Sequence, residues 1–311
     1  MNKQGNKEAF GVRLLKNVKK NWILYLMVTP VVLYYIIFSY VPMYGVLLAF
    51  KDYQIKKGIL GSPWVGLEHF RRFFSAYDFK RLLMNTIGLS VYGMIAGFPI
   101  PIVFALMLNY LRHHKLKKVI QMVSYAPYFI STVVICGMIT IFMSQDSGIF
   151  NVIRGLFGLE PINFLAKAEY FKHIYVWSGI WQGMGWSSII YISALAGVDY
   201  EMHEAAIVDG ATKIQRMIHV DLPSIKPTIL MLFILQMGGL LGVGFEKVYL
   251  LQNSLNRSAA SVISTYVYEV GLINSDYGYS TAVGLFNSVI SLFLVVASNQ
   301  LSKKFAGESL F

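Results

Sequence analysis

Polar and apolar residues are sharply segregated along this chain. Six stretches, at 22–50, 84–111, 119–143, 174–198, 227–245 and 281–302, contain no Asp, Glu, Lys or Arg, and all the charge falls between them or at their edges. Each is about as long as the ~20 residues a helix needs to cross a ~30 Å hydrocarbon core. Peptide groups there have no water to bond, so a helix, which satisfies them internally, is the expected form. The pattern predicts an all-α integral membrane protein with six transmembrane helices in one domain over 22–302. A basic amphipathic segment, 1–21, leads in and a tail, 303–311, follows.

The connecting segments are patterned too. In 51–83, Leu67, Phe70, Phe73 and Phe74 recur at helical spacing among Arg71, Arg72, Lys80 and Arg81, which predicts a helix lying in the membrane interface. It is either a plain connector or a surface that receives an external partner. Residues 144–173 are rich in turn formers, and 246–280 are polar with many tyrosines. An even number of spans puts both termini on one side. The short loop RHHKLKK at 112–118 carries four basic residues and no acid, so the positive-inside rule places that loop and both termini in the cytoplasm of a multi-pass plasma-membrane protein.

Composition agrees. Of 311 residues 56% are hydrophobic and 14% charged, and the mean hydropathy is +0.54, outside the range of ordinary soluble domains. A net charge of +11 is accounted for by basic loops meeting anionic lipid headgroups rather than by nucleic acid. The first apolar run is long enough to span and lacks a small-residue cleavage site, so it reads as a retained helix. The single cysteine, Cys136, cannot form an intramolecular disulfide and reads as a small packing residue inside the third span.

One charged segment, 199–227, has an internal logic. Asp199 is a plausible N-cap with Glu201 in the first turn. A helix from about Tyr200 to Asp209 stops at Gly210, the residue best able to adopt a left-handed conformation. Thr212 followed by Gln215 matches a capping box that starts a second helix, and Pro223 should end it. On that second helix Ile214, Met217 and Ile218 form an apolar edge. The edge suits either docking of another protein or packing on the chain's own helix ends.

Resemblance decides between them. Glu204-Ala205-Ala206, Asp209-Gly210-Ala211, Leu222-Pro223 and Pro227, lying before the penultimate span, resemble the EAA motif of ATP-binding-cassette importer permeases. VGLEHF (65–70), Asn85-Thr86 and YGYSTAVG (277–284) are similar to the MalF-type carbohydrate branch, especially its LplB/YteP-type polysaccharide subunits. The chain departs from the pattern at Met217, where an aromatic is usual, at Val220-Asp221 before Leu-Pro, and in having no large external domain. The resemblance implies a type I importer permease fold whose cytoplasmic loop docks an ATPase through Glu204, Ala205, Ala206, Asp209, Gly210, Ile214, Met217, Ile218, Leu222 and Pro223. It also implies a second MalG-type permease subunit, two copies of an ABC ATPase that hold ATP and Mg, and an external solute-binding lipoprotein docking on short loops. The cargo would be an oligosaccharide.

No nucleotide-cradling G-x-x-x-x-G-K-[S/T] motif occurs, and neither H-E-x-x-H nor a Cys/His cluster is present, so no cofactor, metal or catalytic residue is expected in this chain. A sugar path needs neutral hydrogen-bonding groups and aromatic faces. The fourth span is richest in these, with Trp181, Gln182 and Trp186; Tyr128, Gln236 and Asn287 add to them from other spans. Gln182 and Asn287 rank first because an amide facing lipid is costly, although such residues also serve as glue between helices. A membrane-embedded glycosyl or acyl transferase is the alternative reading. A secondary transporter would need ionisable groups within the spans.

Overall fold

The computed structural model describes residues 17–306, so most of the lead-in segment and the end of the tail lie outside the described residues. Among the described residues the chain is helical, with one isolated antiparallel bridge between Lys51 and Trp64. Helix α1 (Trp22–Tyr35) runs on through a π turn (Ile36–Tyr40) and a 3-10 stretch (Val41–Phe50). Pro42, which has no N–H to give, sits where the bonding pattern changes. The short α2 (Glu68–Phe74) precedes α3 (Phe79–Gly97) and α4 (Pro99–Asn109). Next come α5 (His114–Tyr125), α6 (Thr132–Phe142), α7 (Ile149–Leu156) and the long α8 (Ala168–Leu195). Helix α9 (Tyr200–Val208) leads to α10 (Lys213–Arg216), which continues as a π turn (Met217–Asp221) and Leu222–Ser224. The chain ends with α11 (Lys226–Gly238), α12 (Phe245–Leu251), α13 (Arg257–Ala260), α14 (Ile263–Tyr268) and α15 (Tyr277–Ala306).

Among the described residues three helices are long and apolar enough to cross a membrane, Trp22–Phe50, Phe79–Asn109 and Tyr277–Lys304, and five spans result if each of two bent helix pairs counts as one, against the six expected. The other three predicted spans differ from straight apolar rods, each for a local reason. The third bends by 101° between α5 and α6. Pro127 and an extended Ile130 interrupt it, and Ser131 restarts it by accepting a bond from the Val134 N–H at 3.4 Å. The fifth turns by 63° before α11, and α11 stops after 13 residues at the glycine pair Gly238-Gly239. The fourth, α8, has 28 residues, about 42 Å of helix, but Gly, Ser and Gln dilute its apolar character. The segment 246–280, expected to be a polar loop, is instead built largely of α12, α13 and α14.

The interfacial helix expected over 67–83 is also corrected. The helix breaks at Ser75–Asp78 into α2 and the start of α3, and Phe73 is fully buried against α15 beside Leu82, Ile263, Tyr279 and Val283. Aromatic area buried in this way outweighs contact with headgroups. The stretches VGLEHF and YGYSTAVG meet here, the His69 and Tyr279 rings lying 6.4 Å apart; just beyond them the Arg72 guanidinium lies 4.2 Å from the Tyr279 ring and pairs with Asp276 at 2.7 Å. A Cβ on Gly278 would come within 2.8 Å of the Lys51 carbonyl oxygen, so only glycine permits this approach.

Two further clusters join the long helices. Leu89, Ile135, Cys136, Phe171, Ile174 and Val248 tie α3, α6, α8 and α12 together. Ile102, Ala105, Tyr191, Leu195 and Ile225 tie α4 to α8 at the end that carries segment 199–227. Asn85 donates to the carbonyls of Ser258 (2.8 Å) and Ser261 (3.1 Å), while Thr86 donates to the Leu82 carbonyl and accepts from the Ile263 N–H. This pair therefore fastens α3 to the α13–α14 turn. Helix α5 crosses α8 so closely that a Cβ on Gly185 would sit 2.2 Å from the Ser124 carbonyl oxygen.

Candidate functional site

The segment 199–227 forms a bracket of two helices around a glycine. Asp199 caps α9 by accepting from the Glu201 N–H at 3.0 Å. At the far end Gly210 has φ +77°, and the Ala211 and Gly210 N–H groups donate to the carbonyls of Ala206 and Ile207 at 2.9 and 3.0 Å. These two bonds make a Schellman C-cap, which needs the left-handed residue that glycine supplies. The Thr212–Gln215 capping box then starts α10, with the Thr212 N–H donating to Gln215 Oε1 at 2.8 Å. Pro223 does not end this helix. The preceding π turn takes up the lost bond, the Leu222 N–H donating to the Met217 carbonyl, and the chain turns only at Ile225.

The bracket presents apolar side chains outward. Val208 is 86% exposed and Ile214 68%, and Tyr200, Ile207 and Ile218 are at least half-exposed. Ala205 is exposed, whereas Ala206 and Met217 are partly covered. Leu222 sits at the boundary. Glu204 and Asp209 are exposed and make no ion pair among the described residues. Self-packing therefore does not consume this edge.

A polar knot invisible in the sequence holds the bracket to the bundle. Asp221 is fully buried. The Tyr110 hydroxyl, just past the end of α4, donates to its Oδ2 at 2.6 Å, and His203 Nε2 of α9 lies 3.2 Å from its Oδ1. The Arg216 guanidinium sits 5.7 Å from the Tyr110 ring. The pairing joins residues 111 positions apart, and nothing in the sequence around Asp221 signals it.

The second candidate site is a cavity of about 730 Å³ between α3–α4, α8 and α11. Gln182, Trp186 and Gln236 all line it. The Gln182 Nε2 donates to the Ile130 carbonyl at 3.1 Å, which secures α8 to the break between α5 and α6. Tyr128 stacks on Trp186 at 4.7 Å with the planes 4° apart and borders an adjoining recess that also includes Gln182. Trp181 faces a different, apolar pocket with Ile135 and Trp177. Asn287 lies on α15 away from these walls, its Oδ1 buried without a partner. Among the lining residues that were not anticipated are Tyr175 and Lys247. Lys247 belongs to a segment read as external loop, and only the folding of α12 against α8 brings it to the cavity.

Comparison with known proteins bears on both sites. Residues 97–307 match the family described as the binding-protein-dependent transport system inner membrane component. Two proteins of Bacillus subtilis are each 44% identical to this chain. One is protein LplB, over 97% of this chain and 95% of its own length. The other is the polygalacturonan/rhamnogalacturonan transport system permease protein YteP, over 96% and 93%. A crystal structure of a bacterial ABC transporter involved in the import of the acidic polysaccharide alginate contains a chain that superposes with a TM-score of 0.88 at 38% identity. That match covers 94% of this chain and 99% of the other.

Proposed function

The chain belongs to the family of binding-protein-dependent transport system inner membrane components, and from that premise we propose how its two sites divide the work. It is a multi-pass membrane permease of an ATP-binding-cassette importer for oligosaccharides or polysaccharide fragments, and it has no catalytic role of its own. The 199–227 bracket receives an ATPase subunit: Glu204 and Asp209 supply the charged rim, and Ala205, Ile214, Met217, Ile218, Leu222 and Pro223 the apolar edge, with Gly210 setting the angle between the two helices. The carrying observation is that this edge stays exposed while Asp221 anchors its base. A rigid bracket fixed to α4 and α11 transmits a push from the ATPase to the helices around the cavity, which is what coupling requires.

The cavity is the sugar path on this side of the transporter. Gln182 and Gln236 offer neutral hydrogen bonds, and Trp186, backed by Tyr128, offers an aromatic face for sugar C–H groups. A second, similar permease subunit completes the path, two ATPase copies hold ATP and Mg, and an external solute-binding lipoprotein delivers the cargo to the face formed by α2 and the α12–α14 region. Both termini and the 199–227 bracket are cytoplasmic. The transferase alternative is set aside, since the family and the named relatives are transport components.

The test is uptake of labelled oligogalacturonide into proteoliposomes carrying the assembled transporter. Uptake that needs both internal ATP and the external binding protein supports the reading. Uptake independent of ATP, or none from any pectic or alginate-type oligosaccharide tried, overturns it.

A further inference from the structure

Among the described residues Lys247 is the one charged side chain on the cavity wall. It is only 8% exposed and carries three N–H donors. One of them goes to the Tyr175 carbonyl at 3.1 Å, and the Tyr175 ring lies 5.2 Å from Nζ. No carboxylate pairs with it among the described residues. Its chain neighbour Glu246 is partnered, among the described residues, neither with it nor with any other cation. Burying a cation without an anion is costly, and a site kept at that cost gains most when the anion arrives with a ligand. The floor of the cavity leaves room for this: Gly179 places no side chain beside Nζ, and even a Cβ built there would lie 3.4 Å away. The remaining polar lining, Gln182 and Gln236, is neutral and suits hydroxyls.

Resting on the importer reading above, we propose that Lys247 is the carboxylate-reading residue of the translocation cavity, and that the transported solute is an acidic, uronate-containing oligosaccharide. The Lys247 ammonium donates to a uronate carboxylate while Gln182 and Gln236 serve the hydroxyls and Trp186 the ring face. Selection for acidic sugar thus occurs inside the permease as well as in the external binding protein. The expectation from sequence that recognition within the membrane rests on neutral groups alone is revised accordingly.

The experiment compares uptake of trigalacturonate with that of its methyl ester, each at a concentration saturating the binding protein, in proteoliposomes normalised to assembled complex. Lys247→Gln, which keeps a donor for the Tyr175 carbonyl but no charge, should lower the acid-to-ester uptake ratio about tenfold or more, the worth of one charge-assisted bond. Lys247→Arg should keep the ratio within about threefold of wild type. Equal losses of both sugars in Lys247→Gln, or an unchanged ratio, would reduce Lys247 to a strut between α12 and α8 and overturn the inference while leaving the importer reading intact. A wild-type complex that imports neither sugar overturns the importer reading and this inference together.

Discussion

Asp221 carries a disproportionate share of the mechanical argument. A fully buried carboxylate survives only if partners replace its lost water; here the Tyr110 hydroxyl donates to Oδ2, while His203 Nε2 stands 3.2 Å from Oδ1 without completing a hydrogen bond. These contacts bring the end of α4, α9 and the α10 extension together at one point. Tyr110→Phe removes the hydroxyl donor and nothing else of the ring, leaving the carboxylate with only the nearby His203. The expected cost is about 1–3 kcal/mol, read as a lower melting temperature of the purified complex. An unchanged melting temperature would show that the knot contributes nothing to the fold. The local signals at this scale were legible: the Asp199 cap, the Gly210 turn and the Thr212–Gln215 box all depend on residues a few positions apart. Tyr110 and Asp221 stand 111 positions apart, and no short-range pattern reports such a pairing.

At the scale of elements, charge-free stretches marked where apolar helices lie but not how straight they run, and among the described residues three to five of them, not six, have the length and apolarity of a span. Pro127 with Ser131 breaks one stretch and Gly238-Gly239 shortens another, because each removes or diverts a helix bond that hydropathy does not register. The same blindness hid α12–α14: a polar, Tyr-rich sequence suggested loop, yet Asn85, Thr86 and the buried Val248, Val262 and Ile263 fold it against α3 and α8. Orientation remains to be tested by labelling with an impermeant thiol reagent. Ser62 is a poor probe site, being 4% exposed with its hydroxyl bonded to the Gly58 carbonyl. Tyr77, 96% exposed, is a good one. In a chain whose native Cys136 is buried, Tyr77→Cys should react from outside intact cells. Lys115→Cys should react only after the membrane is opened. The opposite pattern would place the 199–227 bracket outside, where no ATPase could reach it.

For the whole molecule, the cavity and the bracket lie on the same helices, and on the proposed function this shared framework would let hydrolysis in an ATPase docked on the bracket move the cavity. Helix α8 packs on α4 through Ile102, Ala105, Tyr191 and Leu195 next to the bracket, and the same α8 lines the cavity with Gln182 and Trp186. The angle of the bracket rests on Gly210, whose φ of +77° costs a β-branched residue roughly 1–2 kcal/mol or more. No atom outside its immediate neighbours stands within 4 Å of a Cβ there. A substitution therefore strains the hinge without a clash in the bundle. The most direct measurement sets sugar uptake beside ATP turnover for Gly210→Val and wild-type transporters, at equal amounts of assembled complex in proteoliposomes with saturated binding protein. A bracket that couples the two sites predicts that the variant assembles but that sugar imported per ATP hydrolysed falls about tenfold, the equivalent of roughly 1.4 kcal/mol. Wild-type uptake per ATP in the Gly210→Val complex would contradict the coupling role of the bracket.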